Sequence, residues 1–129
     1  MQLKIIPIYA ALLALLFFAL SLRTIRLRRR LKIAVGDAGN PQMQRAMRVP
    51  ANFAEYIPLV LILLTMVELQ GGRSPALLHG LGLLLLFGRL SHAWGVSQVK
   101  ENFRFRTAGI LSTFFTLVAC SVSILASAI

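Results

Sequence analysis

The sequence predicts an all-α integral membrane protein, a four-helix bundle forming a single domain over residues 1–129. Hydrophobic residues fill 57% of the 129 positions and the mean hydropathy is +0.76, more apolar than a water-soluble domain of this size. They collect in four stretches, near 5–22, 49–69, 76–96 and 106–127, each within the range of about 17–25 residues that a crossing helix needs. Finally, 14 Lys and Arg against four Asp and Glu give a formal charge of +10, and the cations gather beside the apolar stretches. In a soluble chain such an excess points to nucleic acid; flanking spans, it follows the positive-inside rule, so no nucleic-acid partner is expected.

The first stretch carries no charge and is followed by Arg23, Arg26, Arg28, Arg29, Arg30 and Lys32. A cleavable signal has the reverse order, so this reads as a retained anchor whose basic end sets topology and touches headgroups. Gly36 to Asn40 is turn chemistry, and Asn40 before Pro41 matches an N-cap followed by the first helical position. The second helix therefore begins near Pro41, enters the membrane near Ala51 and ends by Gln70. Pro58 removes the backbone bond to Ala54 and bends this helix, with Pro50 as a second weak point. The third span opens after Ser74-Pro75, and glycines at 80, 82, 88 and 95 allow neighbouring helices to approach closely. A loop bearing Lys100, Glu101 and Arg104 leads into the fourth span. Cys120 is alone, so no intrachain disulfide or cysteine metal site is expected; it reads as a buried or lipid-facing thiol.

Polar residues interrupt this pattern at two places. Arg48, Asn52 and Glu55 fall at i, i+4 and i+7 and so share one helix face, with Tyr56 beside them. Helical rise puts Glu55 roughly 20 Å from Glu68, whereas a hydrocarbon core is about 30 Å thick, so Glu55 lies within the membrane. An ionisable group there marks either a functional site or an interhelical pair that holds the bundle. Arg89 and His92, at i and i+3, interrupt the third span at a depth of roughly 21 Å from Pro75, so the two polar zones are expected to meet. The plainer alternative is a snorkelling Arg89 and a hydrogen-bonded packing His92.

Arg48-x3-Asn52-x2-Glu55-Tyr56-x-Pro58 resembles the signature of the MAPEG family, the membrane-associated proteins in eicosanoid and glutathione metabolism. Gly36-Asp37-Ala38-Gly39-Asn40 looks like a Gly-Asp-Gly-Gly-Asn loop of bacterial members, with Ala38 for one glycine, and Pro50 stands where His or Gln often sits. The resemblance covers nearly the whole chain and implies a homotrimer of four-helix subunits in the bacterial inner membrane, with glutathione bound between subunits near the cytoplasmic face. It implies glutathione-binding roles for Arg48, Asn52, Glu55 and Tyr56, and for Arg89 and His92, which sit where the family has an arginine and, in several members, a tyrosine. Arg106, in Phe105-Arg106-Thr107-Ala108-Gly109, looks like the helix-four arginine that stabilises the thiolate; Arg104 is its rival. Val96 replaces a second tyrosine found in some members.

The residue types agree with that ligand. Glutathione's carboxylates suit arginine forks, its ammonium needs a carboxylate such as Glu55, and its peptide groups need amide or phenol partners. A guanidinium lowers a thiol pKa from about 8.5, which activates the sulfur without a metal. The expected activity is a membrane glutathione transferase or peroxidase acting on apolar electrophiles or lipid hydroperoxides drawn from the bilayer. The alternatives are a non-catalytic lipid- or glutathione-binding membrane protein, and a structural protein whose polar residues hold the trimer.

Charge fixes an orientation as well. The loops around Arg23 to Arg48 and Lys100 to Arg106 hold most of the cations, whereas the N-terminus holds Lys4 and the loop between spans two and three holds Arg73. Both termini should therefore be non-cytoplasmic. A reporter fused after Ile129 should be active only outside the cytoplasm, and cytoplasmic activity would reverse the orientation.

Overall fold

A computed structural model describes residues 3–128. Four helices follow one another: α1 (Ile6–Leu31), α2 (Pro41–Gln70), α3 (Pro75–Ser97) and α4 (Phe103–Ala128). All four are long and apolar enough to cross a membrane. The two middle elements, α2 and α3, pack against each other and against both α1 and α4.

Local chemistry sets the ends. Asn40 Oδ1 accepts from the Met43 amide at 3.0 Å and starts α2 at Pro41; Ser74 Oγ accepts from the Leu77 amide at 3.2 Å and starts α3 at Pro75. Asn102 Oδ1 accepts from the Arg104 amide at 3.1 Å at the head of α4. The first helix has a different device. Glu68, near the end of α2, accepts from the backbone amides of Lys4, Ile5 and Ile6 at 2.9, 2.8 and 2.9 Å. A carboxylate on the positive end of a helix satisfies amides that no turn of that helix serves. The other end of α1 continues past Leu22 through the basic run to Leu31 and closes on Lys32, whose left-handed backbone (φ 55) caps it. Cations near a helix C-terminus oppose its negative pole, so the basic run stays helical rather than opening into a loop.

Pro50 is a joint rather than a weak point. Having no N–H, it leaves the Ala46 carbonyl without its usual i+4 donor. The Thr24 hydroxyl of α1 approaches that oxygen at 2.7 Å, so the missing intrahelical bond becomes a bond between helices. The same hydroxyl lies 3.1 Å from the Leu20 carbonyl. The helix α2 continues through both Pro50 and Pro58.

Close approach depends on glycine at three of the four positions the sequence offers in α3. A Cβ at Gly82 would overlap the Tyr9 ring, one at Gly88 would overlap Ser112, and one at Gly95 would strike the Arg106 backbone nitrogen. Across the same α3–α4 seam a Cβ at Gly109 would meet the Gly88 carbonyl and the His92 backbone. Gly80 faces open space and contributes no contact. Between the helices Leu13, Val60, Leu64, Leu85 and Cys120 are fully buried.

The Thr24 joint is testable. Thr24→Val, which keeps the shape and removes the hydroxyl, should lower unfolding stability in detergent by about 1–3 kcal/mol, because a buried carbonyl loses its donor. In a Pro50→Ala background the restored backbone N–H serves that carbonyl, and the cost should shrink by more than half. An equal cost in both backgrounds would show that the hydroxyl does not replace the proline's missing bond.

Candidate functional site

The site lies where the basic ends of α2 and α4 approach each other. On α2, Arg48 and Glu55 pair along the outward face, Nη1 to Oε1 at 2.9 Å and Nη2 to Oε2 at 3.4 Å. Their side chains are 56% and 45% exposed, so the pair sits on the surface of the protomer. Asn52 does not share that exposure. At 3.6 residues per turn, Asn52 and Tyr56 lie roughly 40–80° round the helix from Arg48, enough to carry them across the edge of the bundle. Asn52 is buried, and Tyr56 is half-buried with its ring edge-on to Phe114, centroids 5.4 Å apart.

Arg89 of α3 meets Asn52 rather than Glu55. Its Nη2 donates to Asn52 Oδ1 at 2.9 Å, its guanidinium lies 5.5 Å from the centre of the Phe53 ring, and only 1% of it is exposed. It therefore does not snorkel. His92 is also buried, with Nδ1 at a long 3.5 Å from Arg89 Nη2. Neither Nε nor Nη1 of Arg89 has a protein partner among the described residues. The depth read from the sequence brings α2 and α3 polar groups together, but the partner is an amide carbonyl and an aromatic face instead of a carboxylate. Placing a neutral dipole and a ring against a buried cation avoids stripping water from a second ion.

The third part of the site is a knot that sequence reasoning missed. Glu101, in the loop before α4, accepts from Arg45 Nη1 at 2.7 Å through Oε2 and from Arg106 Nη1 at 3.2 Å through Oε1. Arg45 also reaches the Val96 carbonyl at 3.3 Å, so one carboxylate ties α2, the end of α3 and the start of α4. Only 4% of the Glu101 side chain is exposed. Burial alone would raise its carboxyl, and the hydrogen bonds and charges of Arg45 and Arg106 outweigh that and hold it below its ordinary value. The signal in the sequence was weak: one of four acids, isolated among cations at a helix end.

Arg45, Arg48 and Arg106, with Gln44, Ala51 and Val96, line a groove of about 410 Å³. That falls within the range of roughly 300–1,000 Å³ usual for small-molecule sites. The structure thus brings Arg48 and Arg106 to one groove, joins Arg48 to Glu55, and joins Asn52, Arg89 and His92 behind it. Tyr56 makes no side-chain hydrogen bond to them among the described residues. Arg104 does not line the groove, although its backbone amide helps start α4. Among the described residues no group of three or more His, Cys, Asp or Glu is placed to hold a metal ion.

Four membrane-length helices with a three-arginine groove at one end define a small helical membrane protein with an anion-favouring site at the bundle boundary. The chain belongs to the MAPEG family, whose model matches residues 6–126. It is 36% identical over 111 residues to inner membrane protein YecN of Escherichia coli K12, covering 86% of this chain and 82% of that protein. The YecN protein of Escherichia coli O6:H1 strain CFT073 matches to the same extent. The family includes glutathione transferases.

The Glu101 knot has a pH signature. A carboxyl held below its ordinary 4.5 contributes stability that is present above that pH and is lost as pH falls through the lowered value. Glu101→Gln should therefore be less thermostable than the parent at neutral pH, and the gap between the two melting temperatures should close as pH drops below 4.5. A gap that stays constant down the acid limb would mean that the carboxylate charge is not what ties Arg45 and Arg106.

Proposed function

We propose that the protein is a membrane glutathione transferase or peroxidase that activates the glutathione thiol with an arginine, for bond formation to the carbon of apolar electrophiles or for attack on the terminal oxygen of lipid hydroperoxides. In the second case the lipid leaves as its alcohol, and a second glutathione converts the sulfenic acid to disulfide and water. The observation that carries this is the groove lined by Arg45, Arg48 and Arg106 with the Arg48–Glu55 pair beside it. An α-amino acid end group carries one ammonium and one carboxylate side by side. It is the complement of an adjacent guanidinium and carboxylate, so it exchanges with the Arg48–Glu55 pair charge for charge. The second carboxylate of the tripeptide finds another guanidinium in the same groove.

Arg106 is the group that favours the thiolate, since it faces the groove at the head of α4 and a positive helix N-terminus lies behind it. The Glu101 knot sets its direction. Conjugation forms a sulfur–carbon bond from the thiolate lone pair while the electrophile's leaving group departs as an anion into the water-facing side or, in an addition, the anion formed on the adduct takes a proton from water. Asn52 offers its amide N–H groups to a peptide carbonyl, because Arg89 holds its oxygen. Arg89 and His92 then act through Asn52 rather than by touching the ligand.

A charged pair exposed on a membrane-length helix also supports assembly. In hydrocarbon such a pair costs several kcal/mol, so a homotrimer that covers it with a neighbouring subunit completes the pocket. The acceptors arrive from the bilayer, which concentrates apolar electrophiles at this boundary.

The division of labour is measurable by thiolate absorbance against pH at saturating glutathione. Glu55→Gln should weaken binding roughly ten- to a hundredfold and leave the bound thiol's titration in place, because one charge-assisted hydrogen bond is lost. Arg106→Ala should raise the bound thiol pKa and slow conjugation by a similar factor. If Arg104→Ala moves the titration and Arg106→Ala does not, the thiolate contact is two residues earlier. If no variant alters binding or titration, the cluster is structural and the activity is not glutathione transfer.

A further inference from the structure

Arg23, Arg26, Arg28, Arg29, Arg30 and Lys32 follow one another along the end of α1, and among the described residues no side-chain carboxylate pairs with them. The four acids of the chain are engaged elsewhere. Glu55 holds Arg48, Glu101 holds Arg45 and Arg106, Glu68 holds the first amides of α1, and Asp37 accepts from the Gly39 amide at 2.9 Å within its own turn. The negative pole of a helix offsets only about half a charge. The remaining charge has to be met from outside the chain.

Geometry divides these cations. Arg23, Arg26 and Arg30, at i, i+3 and i+7, line one groove of about 310 Å³, with Ala19 and Leu27 as its apolar wall and Gln42 reaching in from α2. Arg28, Arg29 and Lys32 line a different depression on the other side of α1, and Arg28 already donates to the Gly36 carbonyl at 2.8 Å. Arg23, held by the Ser97 hydroxyl, is common to the first groove and to a second one of about 440 Å³ between α1 and α3. The second groove is walled by Leu20, Leu90, Ala93 and Trp94. At helical rise Leu90 lies about 10 Å from Ser97 along α3, so this groove leads from the charged end toward the apolar middle of the bundle.

We propose that the two grooves together form a binding site for an anionic phospholipid, a phosphatidylglycerol-type phosphodiester. Its phosphate sits between Arg26 and Arg30 beside Gln42, and an acyl chain follows Leu20, Leu90 and Trp94, with Arg23 at the junction. Guanidinium forks match phosphate oxygens, and an indole at this level belongs to the membrane interface. A free phosphate uses the first groove and has no use for the second, so the pairing of a cationic groove with an apolar one selects the lipid. Within one protomer none of these residues lines the Arg45–Arg48–Arg106 groove, and the test below reads lipid contact at Trp94 rather than glutathione binding or turnover.

Trp94 is the single tryptophan, so its fluorescence reports on the second groove directly. The full chain is placed in phosphatidylcholine vesicles with a fixed minor fraction of phosphatidylglycerol, with bromine on the acyl chains of one lipid or of the other. Molecule for molecule, brominated phosphatidylglycerol should quench Trp94 roughly tenfold better than brominated phosphatidylcholine, as two arginines beside a phosphate imply. Arg26→Gln with Arg30→Gln should abolish most of that preference. Arg29→Gln with Lys32→Gln removes the same charge from the other side and should preserve it. Equal loss in both pairs would mean diffuse attraction and would overturn the site. So would a parent protein with no preference, a measurement that needs no variant to fold. Inorganic phosphate at constant ionic strength should leave the quenching unchanged; if it removes the preference, the site belongs to a free anion and the lipid assignment fails.

Discussion

Anionic groups are scarce in this protein, and where each one sits decides much of the rest. Four carboxylates stand against 14 Lys and Arg, so most of the cations have no carboxylate to pair with. Three of the four are used at places where separate elements must be held or a charge must be met. Glu68 gives the end of α2 a grip on the start of α1, and Glu101 ties α2 and α4 through two arginines. Glu55 is spent within its own helix on Arg48. The end of the bundle where α1 starts and α2 finishes is thus locked through backbone amides, which have no charge to balance. The basic end is locked through guanidiniums and keeps a positive excess. In the groove itself three arginines meet two glutamates, which leaves it attractive to an anion without leaving any one cation bare.

Arg89 shows the same constraint working inside the bundle. A cation that is 1% exposed normally calls for a buried carboxylate, yet the penalty for desolvating two ions often exceeds their attraction. An amide oxygen and a ring face supply part of the attraction without that penalty. The glycines make this arrangement possible. With Gly88 against Ser112 and Gly109 against the His92 backbone, α3 and α4 come close enough that Arg89 and His92 are enclosed between helices instead of lying in a lipid-facing seam.

Signals that act within a few residues were readable in the sequence. Asn40-Pro41 and Ser74-Pro75 announce helix starts, and each cap is made by the side chain its residue type predicts. The number of helices follows from apolar length, and family membership from the Arg48-to-Pro58 spacing. What could not be read was azimuth. Rise along a helix places Glu55 and Arg89 at similar depth, but a rotation of some tens of degrees decides that Asn52 faces inward and Glu55 outward. Interhelical repairs were hidden for the same reason. Pro50 reads locally as a defect, and only the position of Thr24 on another helix turns it into a joint. Glu101 likewise looks like one acid in a basic loop until Arg45 and Arg106 converge on it.

Azimuth also separates the candidate site into a fixed floor and an exchangeable rim. The Arg89–Asn52 contact is buried, and breaking it strands a cation without its acceptor, at a cost of about 1.5–3 kcal/mol for a hydrogen bond to a charged group. The Arg48–Glu55 pair is roughly half exposed on both sides and, where water reaches it from the groove, is worth about 0–1 kcal/mol. Under the proposed reading a zwitterionic ligand needs a pair that yields cheaply, because every ion it displaces must be satisfied again by its own opposite charge. It also needs an amide whose orientation does not change when the pair opens. The labile pair on the surface and the held amide behind it meet both requirements, and the Glu101 knot keeps Arg106 from joining the exchange.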